Sequence, residues 1–156
     1  MDTPAPVTDF KVIMRLGPES GLTAAAQHNR DVMLKVYNAI SHGDQSELAA
    51  ILDPDIIFVE APSLPYGVVA RGIDATLAGV NGMFATWREI EVEIEEILTA
   101  GNLTCLYMNF KAVSRATGQT YEGVCAEMFR FKNRKIIEWR PIYWDTHAAR
   151  LACGIS

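Results

Sequence analysis

Between Glu89 and Glu95 four glutamates alternate with Ile90, Val92 and Ile94. Successive side chains of a strand point to opposite faces, so this run dictates an extended segment with one charged, wet face and one apolar, buried face. A helix would scatter the same glutamates around its circumference. Three further runs rich in Tyr, Phe, Val and Ile follow, separated by Gly101-Asn102, Thr117-Gly118 and Asn133-Arg134. Turn residues at those intervals predict a meander of long antiparallel strands over 88–99, 103–115, 119–132 and 135–145. The acidic stripe itself reads as a solvated face and not as a metal site.

The chain upstream has a different period. From Thr23 to Ser41, Val32, Val36, Ala39 and Ile40 recur at helical spacing, and His42-Gly43-Asp44 stops the helix. A short helix over Gln45 to Leu52 ends at Asp53-Pro54-Asp55, and Ile56 to Ala61 has the β-branched and aromatic content of a strand. Pro62 to Gly72 reads as a loop, and Ile73 to Trp87 as a helix with Leu77, Val80, Met83, Phe84 and Trp87 on one side. The expected fold is α+β: a cone-shaped, strongly curved antiparallel sheet covered by three N-terminal helices around a hydrophobic cavity. Residues 23–150 form the single domain. Residues 1–22 are an extension whose run Phe10 to Leu16 reads as an added strand or arm, and 151–156 are a tail.

Composition removes whole classes of function. A length of 156 residues with 49% apolar side chains suits one soluble core. The chain holds no run of about 18 uncharged apolar residues, so no membrane partner is expected. Fourteen basic against 19 acidic residues leave a net charge of −5 with no Lys/Arg cluster, so no nucleic acid is expected either. Cys105, Cys125 and Cys153 are odd in number and lack a C-x-x-C pair, which argues for a reducing compartment, and the cytoplasm is the expected location. His28, His42 and His147 have no partner at metal-ligand spacing; neither a metal nor another cofactor is expected.

Strand alternation also selects the residues facing a cavity. In 119–132, Tyr121, Gly123, Cys125, Glu127, Phe129 and Phe131 share one face, and in the first strand Ile56, Phe58 and Glu60 do the same. Two carboxylates thus lie among apolar neighbours. Desolvation raises the pKa of such a group, which then serves as a general base or, protonated, as a donor to a developing oxyanion. The alternative is pairing of each with Arg71 or Arg140, or contact with water at the cavity rim. Phe58, Met83, Met108, Phe110, Cys125, Trp139 and Trp144 are expected to shape and dry the pocket, with Trp87 as a further flat wall and Tyr66 and Arg71 gating its mouth or holding the loop. An apolar setting raises a thiol's pKa, so Cys125 reads as packing and not as a nucleophile.

The helical half, Arg71-Gly72 opening the third helix, and the ending Phe129-Arg130-Phe131 with Ile136 to Asp145 together resemble the nuclear-transport-factor-2-like superfamily, in its SnoaL-like cyclase, ketosteroid isomerase and limonene epoxide hydrolase branch. The resemblance covers about residues 29–150. It implies the cone fold, and for ketosteroid isomerases it places the general base at Glu60, just before Ala61-Pro62, the oxyanion acid at Glu127, and the pocket Trp at Trp144. The isomerase tyrosine of the first helix falls on Val36, with Tyr37 one position off, about 100° around the helix. For limonene epoxide hydrolases, Thr76 to Gly79 and Trp139-Arg140 match, but the catalytic Asp-Arg-Asp set falls on Met108, Phe110 and near Pro141, where an additional residue implies a bulge. In SnoaL-like cyclases an acidic base occupies the same cavity, a role open to Asp145 or Glu127. The family also implies a homodimer through the open sheet face, with Leu106, Val124, Ala126 and Met128 as its apolar patch.

Two readings of function stand. One is a cofactor-independent acid/base enzyme, an isomerase, cyclase, dehydratase or lyase, acting on a small hydrophobic or aromatic molecule bearing a carbonyl or hydroxyl. The other is a non-catalytic ligand-binding or dimerisation module of the same fold.

Overall fold

Residues 8–16 and 22–156 are described by the structure, a computed structural model of the chain. The run expected to be an arm forms strand β1 (Asp9–Met14). Helix α1 (Ala24–His42) starts where Thr23 accepts a hydrogen bond from the Ala26 amide, satisfying an orphan donor of the first turn. It ends at Gly43, whose φ of 67° is the left-handed geometry that closes a helix. Asp44 caps α2 (Gln45–Ile51) through the Glu47 amide. Strand β2 (Leu52–Glu60) follows directly, then β3 (Val68–Arg71) and α3 (Ile73–Thr86). The long strands β4 (Trp87–Ala100), β5 (Leu103–Ser114), β6 (Thr120–Lys132) and β7 (Lys135–Tyr143) make the expected meander, and α4 (Thr146–Ala152) closes the chain.

Among the described residues the sheet has seven strands in the order β1-β4-β5-β6-β7-β2-β3. It is α+β and curled, as expected, but mixed and not purely antiparallel. β1 runs parallel to β4, and β2 parallel to β7. Both pairings need long crossovers, whose partners local periodicity does not reveal. Curvature comes from bulges: Arg88 and Glu95 are extra residues in β4 against β5, and Ile137 in β7 against β6. The bulge near the C-terminus thus falls at Ile137, before the Pro141 position where it was expected. Trp139, Pro141 and Tyr143 consequently turn inward, and Arg140, Ile142 and Trp144 outward.

Three other expectations need correction. The Pro62–Gly72 segment is not all loop, because Val68 to Arg71 pair antiparallel with Ile57 to Glu60 as an edge strand. A fourth helix, α4, runs across position 150 and packs against β6, burying Ala149 and Ala152. Leu106, assigned to the open sheet face, is fully buried on the concave face; its register partner is Glu127, and opposed residues share a face. The convex neighbours of Val124, Ala126 and Met128 are instead Cys105, Tyr107 and Asn109.

Candidate functional site

The concave face of the sheet and the inner sides of α1 and α3 enclose a cavity lined by Glu60, Glu127, Tyr37, Phe58, Phe110 and Trp139, with Met83, Val80, Ile40, Val92, Pro141 and Phe10 completing the wall. Sheet register brings the strand residues of the first group together, and α1 adds Tyr37. Phe58 is the cross-strand partner of Trp139, Trp139 that of Phe129, and Glu127 that of Pro141. The indole of Trp139 lies between rings, 5.0 Å from Phe58 and 5.3 Å from Phe129 between centroids. Packing on both sides holds its N–H in place, and Nε1 donates to Glu127 Oε2 at 3.0 Å. The Tyr37 hydroxyl is within reach of the same carboxylate and donates to the Met108 sulfur at 3.6 Å. Free space in the cavity is about 20 Å³, room for roughly one water molecule.

The two carboxyl groups are held away from their ordinary behaviour. Glu60 is 2% exposed; burial, and then the charge of Glu127, push its pKa up to about 8, against a weak opposing bond from the Ala61 amide at 3.3 Å. Burial pushes Glu127 up to about 7, held down by the donors Tyr37 and Trp139. Neither has the arginine partner considered from sequence, since Arg71 is exposed and Arg140 pairs with Glu138 at 3.1 Å. The Tyr37 hydroxyl is pushed well up by burial and then by Glu127, so it stays a proton donor at neutral pH. Near neutrality the pair therefore carries a proton and a negative charge together, in an apolar enclosure, beside one fixed donor, the Trp139 indole, and one that can rotate, the Tyr37 hydroxyl. Such a set can take a proton from carbon and offer one to oxygen. Among the described residues no three metal-ligating side chains converge.

The model of the SnoaL-like domain family matches residues 33–139, more than two thirds of the chain. The chain belongs to the SnoaL-like domain family. No curated protein sequence matches it. Its structure is similar to that of a protein described as a SnoaL-like polyketide cyclase from Jannaschia, with a TM-score of 0.76 at 14% identity over 88% of this chain and 99% of that one. A nuclear-transport-factor-2-like protein from Burkholderia pseudomallei is similar at 0.73 and 18% identity over 81% and 97%. TerC, co-crystallised with polyporic acid, is similar at 0.72 and 14% identity over 81% and 98%. At these identities the likeness is one of fold.

Within this SnoaL-like cavity the structure gathers six of the residues singled out from sequence: Glu60, Glu127, Phe58, Met83, Phe110 and Trp139. Four others, Tyr66, Trp87, Met108 and Cys125, are buried one layer behind it. Trp87 Nε1 donates to the Tyr66 hydroxyl at 3.0 Å and that hydroxyl to Tyr143 at 3.2 Å, so Tyr66 holds the β2–β3 loop to the core. Burial pushes the Cys125 thiol well up, in keeping with packing. Two assignments fail. Trp144 is 86% exposed on the convex side, and the buried aromatic of that pair is Tyr143, because inward parity runs 139, 141, 143. Asp145 lies outside the cavity and accepts from the Ala148 amide as the cap of α4. His28 sits against Arg134 at 3.0 Å and His42 against the Asn38 carbonyl at 2.8 Å, while His147 is exposed on α4.

Six cavity residues were not assigned to the pocket from sequence: Ile40, Val80, Val92 and Pro141, which supply plain apolar wall, and Tyr37 and Phe10. The signal for Tyr37 was present: it stands one residue after Val36 and three before Ile40, and a helix buried against a concave sheet turns more than one narrow stripe inward, so both Val36 and Tyr37 are buried.

Proposed function

We propose that the protein is a cofactor-independent acid/base enzyme that moves a proton on a small hydrophobic carbonyl- or hydroxyl-bearing molecule, as isomerases, cyclases, dehydratases and lyases of this chemistry do. The observation that carries the reading is the coupled pair of glutamates in one apolar cavity, without cationic partners, raised to about 8 and about 7. The resemblance assigns the base to Glu60 and the oxyanion acid to Glu127; the local donors favour the reverse. Trp139 donates to Glu127 and the Tyr37 hydroxyl can turn from the Met108 sulfur to join it, which stabilises the carboxylate and makes it the base, whereas Glu60, buried with little to solvate a charge, keeps the proton and donates it. The Glu127 carboxylate takes a proton from the carbon next to the substrate's carbonyl, the enolate oxygen accepts a hydrogen bond from the Glu60 carboxyl, and the proton returns to carbon at the same or a conjugated position. Placed proton transfer contributes roughly 10²–10⁴-fold and an oxyanion donor a comparable factor. The names of the structural neighbours, a polyketide cyclase and a protein crystallised with polyporic acid, support an aromatic or polyketide-like substrate class.

Titration of the two side-chain carboxyls by ¹³C NMR, in the wild type and in Glu60→Gln and Glu127→Gln, tests the assignment. Both are expected to titrate between about pH 6 and 9. Ordinary glutamate titration of both removes the acid/base reading. In a second reading the domain binds a ligand without turnover. Exchange of α-protons of a panel of aryl and alicyclic ketones in D₂O separates the two: enzyme-dependent exchange lost in Glu127→Gln supports catalysis, and its absence across the panel supports binding alone.

We further propose that two copies pair through the convex sheet face. There Trp144 at 86%, Ile142 at 50% and Tyr107 at 39% exposure adjoin Val124, Ala126 and Met128, an apolar surface on an otherwise charged sheet.

A further inference from the structure

The free space beside the two glutamates is too small for any organic substrate, yet a much larger cavity of about 400 Å³ lies on the other side of one aromatic ring. This outer groove runs between the end of α1, α2, α3 and β1. Its size falls in the range of ordinary ligand pockets, and its wall is mixed, with Leu48, Leu77 and Phe84 on the apolar side and Asn81 and Gln45, joined by a 2.7 Å hydrogen bond, at the polar edge. The inner and outer spaces share three residues: Ile40, Val80 and Phe10. The first two are buried, on the last turn of α1 and in the middle of α3. Phe10 belongs to the edge strand β1, paired on one side to β4, and is half-buried. Its ring meets Phe84 edge-on at 6.1 Å and also borders a third open space, the groove between β1 and α1. A ring with free volume on two sides can rotate without moving the backbone, and such rotations are fast.

We propose that the outer groove is the second half of the substrate site and that Phe10 is the gate between the halves, so that the substrate is an elongated molecule with an oxygen-bearing head, an apolar body and a polar far end. The proposal rests on the acid/base reading only for the orientation of the head. The head reaches Glu60 and Glu127 when Phe10 swings aside; the body lies on Leu77 and Phe84; the far end meets the Gln45–Asn81 pair. The backbone of β1 stays in place during this motion, because the Thr8 hydroxyl lies 3.0 and 2.9 Å from the Phe84 and Trp87 carbonyls and shares its proton with them, and Lys11 pairs with Glu91 at 3.1 Å.

The test reads binding and not turnover, so its outcome is independent of the acid/base assignment. Two probes are used: phenol, whose single ring needs only the inner space together with the volume that the Phe10 ring vacates, and 4-phenylphenol, which also needs the groove. Stopped-flow tryptophan fluorescence follows association, since Trp139 lines the inner cavity. Phe10→Ala and Phe10→Leu are expected to raise the association rate constant of both probes, the former by about tenfold, and Leu77→Trp to weaken 4-phenylphenol by about tenfold in calorimetry while leaving phenol within about twofold. Thermal denaturation of each variant verifies that it is folded, and Asn81→Leu serves as a second groove variant with the same expectation in weaker form. Unchanged association in both Phe10 variants overturns the gate. Equal effects of Leu77→Trp on the two probes, or no binding of either by the wild type, overturn the two-part site. Proper gating and groove behaviour with normally titrating glutamates removes the acid/base reading and leaves this one standing.

Discussion

A carboxyl group stripped of water is more stable protonated than charged, and Glu60 is where that preference is strongest in this protein. Its pKa goes from an ordinary 4.5 to about 8 on folding, so the folded state holds the proton more tightly than the unfolded one. The stabilisation is complete below about pH 4.5 and is lost as pH rises to about 8. At about 1.4 kcal/mol per unit the ceiling on that loss is roughly 5 kcal/mol. Glu60→Gln, a neutral replacement of the same shape, is therefore expected to match the wild type near pH 5 in thermal denaturation and to exceed it by several degrees near pH 9. Trp139→Phe keeps the ring between Phe58 and Phe129 but removes the donor to Glu127. A hydrogen bond to a charged group is worth about 1.5–3 kcal/mol, so the Glu127 titration is expected to move up by about one unit, read by NMR or as a shifted acid limb of the pH–rate profile. Both glutamates were legible in the sequence because strand parity alone places them inward. The donor geometry that divides their roles was not, since it depends on which residues of α1 and β7 reach the same point.

α3 and β2 are in close contact where they cross. Gly79 of α3 lies against Phe58, and a Cβ there would stand 2.8 Å from the ring's Cε1 and 3.1 Å from a Val68 methyl. Gly79→Ala is expected to displace the Phe58 ring into the cavity and to cost about 1–3 kcal/mol in urea denaturation, the usual penalty of overpacking. The four-strand meander and three of the helices are readable from period and turn residues. β3 is hidden in a segment with two prolines and two glycines, being a four-residue edge strand that exists only because β2 offers it a partner. α4 escapes because the last strand was expected to run on to position 145, taking in the helix cap Asp145, which read as a cavity acid. The acidic stripe of β4 is only partly a solvated face, because Lys11 and Arg15 of the β1 segment pair with Glu91 and Glu93. Such exposed pairs contribute about 0–1 kcal/mol each, so they set the register of β1 more than they hold it.

At the scale of the whole molecule, the proposed function gives the concave face of the curled sheet to a ligand and the convex face to a second copy. Convex-face pairing predicts that the wild type sediments as a dimer at micromolar concentration, and that Trp144→Lys combined with Met128→Lys yields a folded monomer with unchanged carboxyl titrations. A wild type that remains monomeric at about 100 μM, weaker than any stable homodimer, removes the pairing. Among the described residues no helix is long and apolar enough to cross a membrane.

By itself the sequence determined the element types, the inward parity of β2 and β6, and hence the presence of two glutamates in an apolar enclosure, because alternation and helical spacing are local properties. The tertiary structure decided everything that rests on registers between distant strands: the bulge at Ile137 that turns Trp139 in and Trp144 out, the burial of Leu106, the arrival of Tyr37 beside Glu127, and the closing of the cavity by Phe10 from the far end of the chain. A shift of one residue in such a register exchanges the two faces of a strand, and no local pattern in the sequence fixes it.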